Sequence, residues 1–495
     1  MSDQLPALQI MVTLLAAPLC VIIRHARGAW ALAMAANTVA FVVAILLLLQ
    51  VLDTGVIRYA VGGWAAPSGI EYYIDTMNAA VLVLVSGISA LVLLYAFKSV
   101  EKSIPHAKHY LFYSAWMMCI TGLLGIVITG DAFNVFVFLE ISSLATYTLI
   151  SFGSDRRALT ASFNYLVLGS VGASFILIGI GFLYAATGTL NMVDLAQRIP
   201  DSESQRSVLV AFSFITIGVL IKSAVFPLHA WLPNAYTHAP VAVTAFLAGT
   251  ATKVSLYVLL RFFFSIFGKD YSFGQLLLSG VLLPAAVAGF VLMSLVAMFQ
   301  NDLRRMLAYS SVAQIGYIVA GFSLASQSGL TAGIVHIINH GIVKTSLFMA
   351  VGCILYRVGH AHTPSLDSLI RRMPFTSVAF IVSGLGLIGV PLTVGFVSKF
   401  TLIGAAMERG WWLVAGLVLI SSLMAVVYIG RVIEVLLFRR ARDSGPEPSG
   451  MREAPVSMLL PLYVLLAAGL YFGINGGATL EVAGQAAAQL LGGYQ

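Results

Sequence analysis

An all-α polytopic membrane protein of about fourteen transmembrane helices is the fold the sequence predicts, on three observations. Hydrophobic residues make up 59% of the 495 and charged ones only 9%, against about a quarter charged in soluble domains. The mean hydropathy is +0.95. The apolar residues gather into runs of about 20, the length that crosses a bilayer as a helix. An outer-membrane barrel needs alternating segments of about 10 instead. So few charges cannot cover a large soluble enzyme, and disorder requires low hydrophobicity.

The runs fall at 5–23, 29–50, 73–97, 110–129, 132–152, 163–186, 207–225, 237–263, 274–299, 306–323, 328–355, 375–396, 411–436 and 456–474. The first is preceded by Met-Ser-Asp-Gln-Leu-Pro, without a basic region, and reads as the approach to a span rather than a cleaved signal. Asp75 stands at the mouth of the third, where it attracts cations or caps a helix. The seventh runs into Pro227, which removes a backbone donor and interrupts the helix. The twelfth is ambiguous at its end, because Pro391 and Gly395 break an apolar pattern that continues through 387–410. The long polar stretches 187–206, 356–374 and 438–455 read as loops, and no soluble domain fits. Forty-five glycines suit membrane helices, where they permit close packing.

Loop charge gives an orientation. Connections after odd-numbered spans hold Arg24, Arg27, Lys98, Lys102, Lys108, Arg156, Arg157, Arg304, Arg305, Arg357, Arg371, Arg372, Arg439, Arg440, Arg442 and Arg452. Connections after even-numbered spans hold Arg58, Arg198, Arg206, Arg261, Lys269 and Arg409. The richer side is expected to be cytoplasmic. Both termini then lie outside, which requires an even number of spans. The net charge of +7 is this loop charge. It is too dispersed for a nucleic-acid footprint. Cys20, Cys119 and Cys353 lie far apart in apolar runs, so neither a disulfide framework nor a zinc site is expected.

Lys222, Lys253, Lys344, Lys399 and Arg431 lie in or against the apolar runs instead. Glu140 sits eight residues into the fifth span. An unpaired carboxylate there costs several kcal/mol or takes up a proton. It is a static partner for a lysine or a proton-pathway group, and buried ionisable residues in spans are functional candidates by default. Lys222 is the expected partner, five residues before Pro227. A Glu–Lys pair that opens and closes changes the lysine's proton affinity, as a switchable carrier requires. Lys253 lies too deep in its run to snorkel, and Thr250, Thr252 and Ser255 stand near it. His336, His340 and Lys344 are spaced by four and share one helix face. Two such histidines can bind metal, but no third ligand is evident, and a proton relay fits histidine better. Lys399 follows Pro391 and glycines about 177 residues after Lys222. That spacing fits two five-helix repeats, which an odd helix count inverts in the membrane. Arg431 and Glu434, at i and i+3, read as a neutralised local pair. No phosphate loop, haem pair or iron–sulfur pattern appears, so no metal or cofactor is expected, and a gradient-driven or partner-driven transporter is favoured over a redox catalyst or ATPase.

Four stretches carry a resemblance. They are Gly130-Asp-Ala-Phe-Asn-Val-Phe-Val-Phe-Leu-Glu, Lys222-Ser-Ala-Val-Phe-Pro-Leu-His-Ala-Trp-Leu-Pro-Asn-Ala-Tyr-Thr-His-Ala-Pro, Asn301-Asp-Leu-Arg-Arg-Met-Leu-Ala-Tyr-Ser-Ser-Val-Ala-Gln-Ile-Gly-Tyr, and His336 to Lys344. Over nearly its whole length the chain resembles the antiporter-like subunits shared by Mrp-type cation/proton antiporters and respiratory NADH:quinone oxidoreductases. The resemblance implies fourteen helices, two inverted five-helix repeats, and broken spans 7 and 12. It divides the chain into helices 1–3 (1–109), a first repeat (110–263), a second repeat (274–436), and a cytoplasmic loop with helix 14 (437–495). It puts the family's span 5 glutamate on Glu140 and its span 7 lysine on Lys222. The span 8 base falls on Lys253, the span 11 histidines on His336 and His340, and the span 12 lysine on Lys399, forming a polar axis. The implied function is proton translocation in the bacterial inner membrane, coupled to sodium export beside other hydrophobic subunits. In length the chain resembles the D-type member of the Mrp antiporter. Phe138-Leu-Glu-Ile-Ser-Ser-Leu-Ala-Thr-Tyr is similar to hydrogenase-type complexes, which keeps a redox-driven alternative open.

Overall fold

The structure, a computed structural model, describes residues 4–367, 369–438 and 453–494. Arg439, Arg440, Arg442 and Arg452 of the charge count lie outside the described residues.

The chain opens with α1 (Leu5–Ile23) and α2 (Ala26–Thr54), then a hairpin of β1 (Ile57–Ala60) and β2 (Glu71–Ile74). There follow α3 (Thr76–Ser103), α4 (His109–Ile128), α5 (Ala132–Ser151), α6 (Arg157–Thr187), the short α7 (Met192–Arg198) and α8 (Gln205–Lys222). The middle holds α9 (Trp231–His238), α10 (Val241–Gly249), α11 (Ala251–Leu260), and two π-helical turns, Arg261–Ile266 and Asp270–Gln275. Next come α12 (Ser279–Met298), α13 (Leu303–Ser323), α14 (Gln327–Val358) and α15 (Leu369–Arg372). The chain continues with α16 (Pro374–Ile388), α17 (Val394–Glu408), α18 (Trp412–Leu437), α19 (Val456–Ile474) and α20 (Gly476–Gly492).

Thirteen of the described helices are long and apolar enough to cross a membrane. Their outer faces carry large apolar side chains such as Val42, Leu46 and Leu49 on α2, Phe163 and Val171 on α6, and Leu423 and Val427 on α18. On a water-facing surface such stripes are anomalous; against lipid tails they are at no disadvantage. The protein is an all-α polytopic membrane protein. At its centre α13 and α14 are almost wholly enclosed, while α19 is mostly exposed.

Helix ends follow local chemistry. Asp131 caps α5 by accepting from the Asn134 backbone at 2.7 Å, and Asp302 caps α13 by accepting from Arg305 at 3.1 Å. Each cap sits in an antiparallel bridge to a later segment, Asp131 to Asn191 and Asp302 to His362. In the hairpin, Ile57 pairs with Ile74 and Ala60 with Glu71. The buried Glu71 carboxylate accepts from the Asn191 amide at 2.7 Å, fastening the hairpin to the start of α7. Both ends of the described chain meet this hairpin. The Tyr59 hydroxyl donates to Gln4 at 2.9 Å, and the Tyr494 ring stands edge-on to Tyr73 at 5.0 Å. The ends therefore share one face of the molecule, called here the hairpin face.

Several sequence expectations need correction. The supposed loop 187–206 contains α7, because Asn191 caps it through two backbone N–H groups. The run 237–263 holds a single span, Val241–Ile266, but with a kink between α10 and α11, where Thr250 leaves helical geometry and bonds its hydroxyl to the Phe246 carbonyl. Arg261, counted among the connections, is buried at the end of that run.

Candidate proton path

Glu140 and Ser143 lie one turn apart on α5 and face the last residue of α8, Lys222. The ammonium donates to Ser143 Oγ at 2.8 Å and stands 3.7 Å from Glu140 Oε1. The lysine side chain is 3% exposed and the glutamate 28%. The carboxylate is thus an ion-pair partner held at a longer distance than the hydroxyl, and Glu140 Oε1 is buried without a hydrogen bond among the described residues. Helix α8 stops here because the chain turns through Ala224, in the left-handed region at φ 53°, before Pro227. The C-terminal end of a helix concentrates partial negative charge, which favours a cation at Lys222. Trp231 Nε1 donates to the Ile221 carbonyl at 2.9 Å, satisfying one group that the break frees.

Lys253 lies in the first turn of α11, just past the Thr250 kink. Its ammonium donates to the Ala248 carbonyl and to Thr252 Oγ1. Lys344, on α14, donates to the Leu307 carbonyl at 2.9 Å and to Ser310 Oγ, both on α13. Lys399, on α17, donates to the Leu387 and Ile388 carbonyls at 2.9 and 2.8 Å, the last of α16. It also lies 5.1 Å from the centre of the Tyr317 ring, a cation–π contact. All three lysines are buried and use backbone carbonyls as ligands, two of them beside a helix interruption.

The interruption between α16 and α17 depends on two glycines. Gly389 adopts φ +90°, and a Cβ on Gly395 would lie 1.9 Å from the Gly386 carbonyl oxygen. Leu392, between them, takes φ 72°.

The two histidines differ. His336 Nδ1 hydrogen-bonds with the Ser398 hydroxyl at 2.7 Å, and His336 Nε2 donates to Gln314 Oε1 at 2.9 Å. His340 is buried with neither ring nitrogen hydrogen-bonded among the described residues. Its ring stacks on His336 at 6.1 Å, and Lys253, Lys344 and Lys399 stand within electrostatic range of it. The structure thus gathers the predicted residues into two groups. One is Glu140 with Lys222. The other is Lys253, His336, His340, Lys344 and Lys399.

Asp75 caps α3 by accepting from the Asn78 backbone at 3.0 Å, and its carboxylate pairs with Arg261 at 2.5 Å. The cation-attracting reading of Asp75 loses its free charge; the helix-cap reading accounts for the geometry. Arg431 donates to the Gln300 carbonyl. Sequence reasoning missed Ser143, Ser310, Gln314, Ser398 and Arg261. Ser143 lies one turn from Glu140 and Ser398 beside Lys399, so both were detectable; Ser310 and Gln314 stand on α13, which held no candidate, and Arg261 lies two turns beyond Lys253.

A family profile described as NADH:quinone oxidoreductase/Mrp antiporter, TM, matches residues 129–425. The N-type subunit of the NADH-quinone oxidoreductase of Desulforudis audaxviator is 41% identical over 417 residues, 82% of each chain. The D-type subunit of the Na(+)/H(+) antiporter of Alkalihalophilus pseudofirmus is 30% identical over 453 residues, 91% of this chain and 89% of the relative. A chain of the Mrp complex from Dietzia sp. DQ12-45-1b superposes with a TM-score of 0.90 at 26% identity, covering 99% of this chain and 97% of that one. A chain of the archaeal membrane-bound sulfane sulfur reductase gives 0.90 at 32%, covering 99% and 98%. The chain belongs to the family of membrane subunits shared by NADH:quinone oxidoreductases and Mrp antiporters.

Proposed function

We propose that this chain is a D-like, proton-translocating subunit of a multisubunit monovalent cation (Na+)/H+ antiporter in the bacterial inner membrane. The observation that carries the proposal is the set of enclosed bases, Lys222, Lys253, His336, His340, Lys344 and Lys399, with Glu140 held beside the first of them. Separation of Glu140 from Lys222 lowers the lysine's proton affinity and drives its proton along the row; closure reloads it. Weak screening in the interior makes such pairs strongly coupled. The membrane potential contributes about 2.3 kcal/mol per charge per 100 mV. One half-channel serves Lys222 and Lys253, the other Lys399.

Spans 7 and 12 are read as broken helices, α8 with α9 and α16 with α17. Counting the second pair as one crossing makes fourteen. Two inverted repeats, α4 to α11 and α12 to α18, fit the two capped bridges. Ala132 N–H donates to the Leu190 carbonyl and Met192 to Gly130; in the second set Leu303 donates to Ala361 and Thr363 to Asn301. Loop charge makes the hairpin face the outer one, with both termini there. The partners are further hydrophobic subunits, and the ions are protons and sodium.

The 41% identity to an oxidoreductase subunit favours a second reading, a pump module driven by redox subunits. The two readings separate in inverted vesicles from cells carrying the full operon. Antiport predicts that added sodium dissipates a pH gradient, and that Glu140→Ala and Lys222→Ala, at matched abundance, abolish the response. Proton pumping on adding NADH, with no response to sodium, lithium, potassium or calcium, would move the chain to the redox-driven branch. If both variants merely lower abundance and leave transport per complex unchanged, the charges are structural.

A further inference from the structure

A second enclosed charge pair lies outside the path. Arg261 and Asp75 meet at 2.5 Å with side chains 4% and 5% exposed. Arg261 Nε also donates to the Tyr257 hydroxyl at 2.9 Å, and the guanidinium donates to Asn78 Oδ1. The Asn78 amide donates to the same hydroxyl at 2.8 Å, and that hydroxyl donates to the Val127 carbonyl at 3.0 Å. The network joins α3, α4 and α11 at the hairpin face.

Its position relative to Lys253 is what matters. Lys253, Tyr257 and Arg261 follow at intervals of four, and so form a row on one helix face. Each interval rises about 6 Å. The Lys253 end of the row belongs to the proposed path. The Arg261 end opens into a cavity of about 350 Å³ that Tyr73, Asp75, Arg261, Gln489 and Tyr494 help to line. A clamp between α3 and α11 explains the ion pair alone. It explains neither the cavity above it nor the alignment with Lys253. Well-packed apolar residues would hold the helices at least as firmly as a buried ion pair.

We propose that the Asp75–Arg261 pair gates an access route from the hairpin face, past Tyr257, to Lys253. When Arg261 leaves Asp75, cavity water reaches the lysine and protons exchange there; Arg261 keeps its charge throughout, since its guanidinium does not deprotonate in proteins. This rests on the reading of Lys253 as a path residue, but the test does not depend on transport.

The test is thiol accessibility in the assembled complex, in vesicles of both orientations. Lys253→Cys is exposed to a membrane-impermeant methanethiosulfonate, with the unsubstituted protein as background and Gln489→Cys to define the hairpin side. Labelling of Lys253→Cys from the hairpin side is expected. Asp75→Asn should raise its rate at least tenfold, because asparagine keeps the helix cap and removes the charge. Tyr257→Ala, which empties the middle of the row, should raise it as well. Labelling only from the opposite side, or none while Gln489→Cys reacts, would overturn the gate. So would an unchanged rate in Asp75→Asn and Tyr257→Ala. Should neither variant accumulate, the side from which Lys253→Cys alone is labelled decides. Labelling from the hairpin side, together with an unsubstituted complex that moves no ions, would leave the route standing and remove the transport reading.

Discussion

Among the residues proposed for the path, His340 has the least structural reason to be a histidine. Neither ring nitrogen is paired among the described residues, in a site closed to solvent. A buried polar group without a partner costs about 1–3 kcal/mol, so an apolar replacement of similar size relieves that cost. His340→Leu is therefore expected to leave the amount of assembled complex unchanged while sodium-driven proton movement in vesicles falls at least tenfold. Full transport in this variant would remove His340 from the path. His336 is the contrast, since Ser398 and Gln314 hold both its nitrogens; its loss harms folding as well as transport.

At the scale of elements, the joint between α16 and α17 is a sharp packing constraint beside Lys399. Gly395→Ala would drive a methyl group into the Gly386 carbonyl, so the helices must separate and withdraw the carbonyls that bind Lys399. We expect Gly395→Ala to lower the thermal midpoint of the purified complex by several degrees and to abolish transport. Gly430→Ala on α18, where a Cβ meets nothing within 4 Å, should be neutral or stabilising by up to about 1 kcal/mol. Equal behaviour of the two in a thermal-shift measurement would refute this account. The long elements were legible in the sequence because lipid demands uninterrupted apolar length; Leu5–Ile23 and Val456–Ile474 agree to the residue. The Thr250 kink was not, since the Gly249 beside it is one of forty-five glycines, and membrane helices tolerate glycine without breaking. The hairpin and α7 were hidden by the same polarity that makes a loop. Buried charges were legible individually, but Ser143 and Gln314 gain meaning only from neighbours on other helices.

For the whole molecule, both ends of the described chain meet the hairpin, so their sidedness is one question. An alkaline phosphatase fused after Tyr494 should be active in whole cells, and one inserted in the short connection between α5 and α6 inactive. The reverse pattern would invert the assigned orientation. Burial is also uneven across the bundle. Helix α14, with His336, His340 and Lys344, is sealed by this chain's own helices, whereas Glu140 keeps a quarter of its side chain uncovered. Detergent extraction therefore treats the two groups of buried charges differently. The surroundings of the sealed residues will survive in the solubilised chain, but around Glu140 the micelle will take the place of whatever covers it in the membrane.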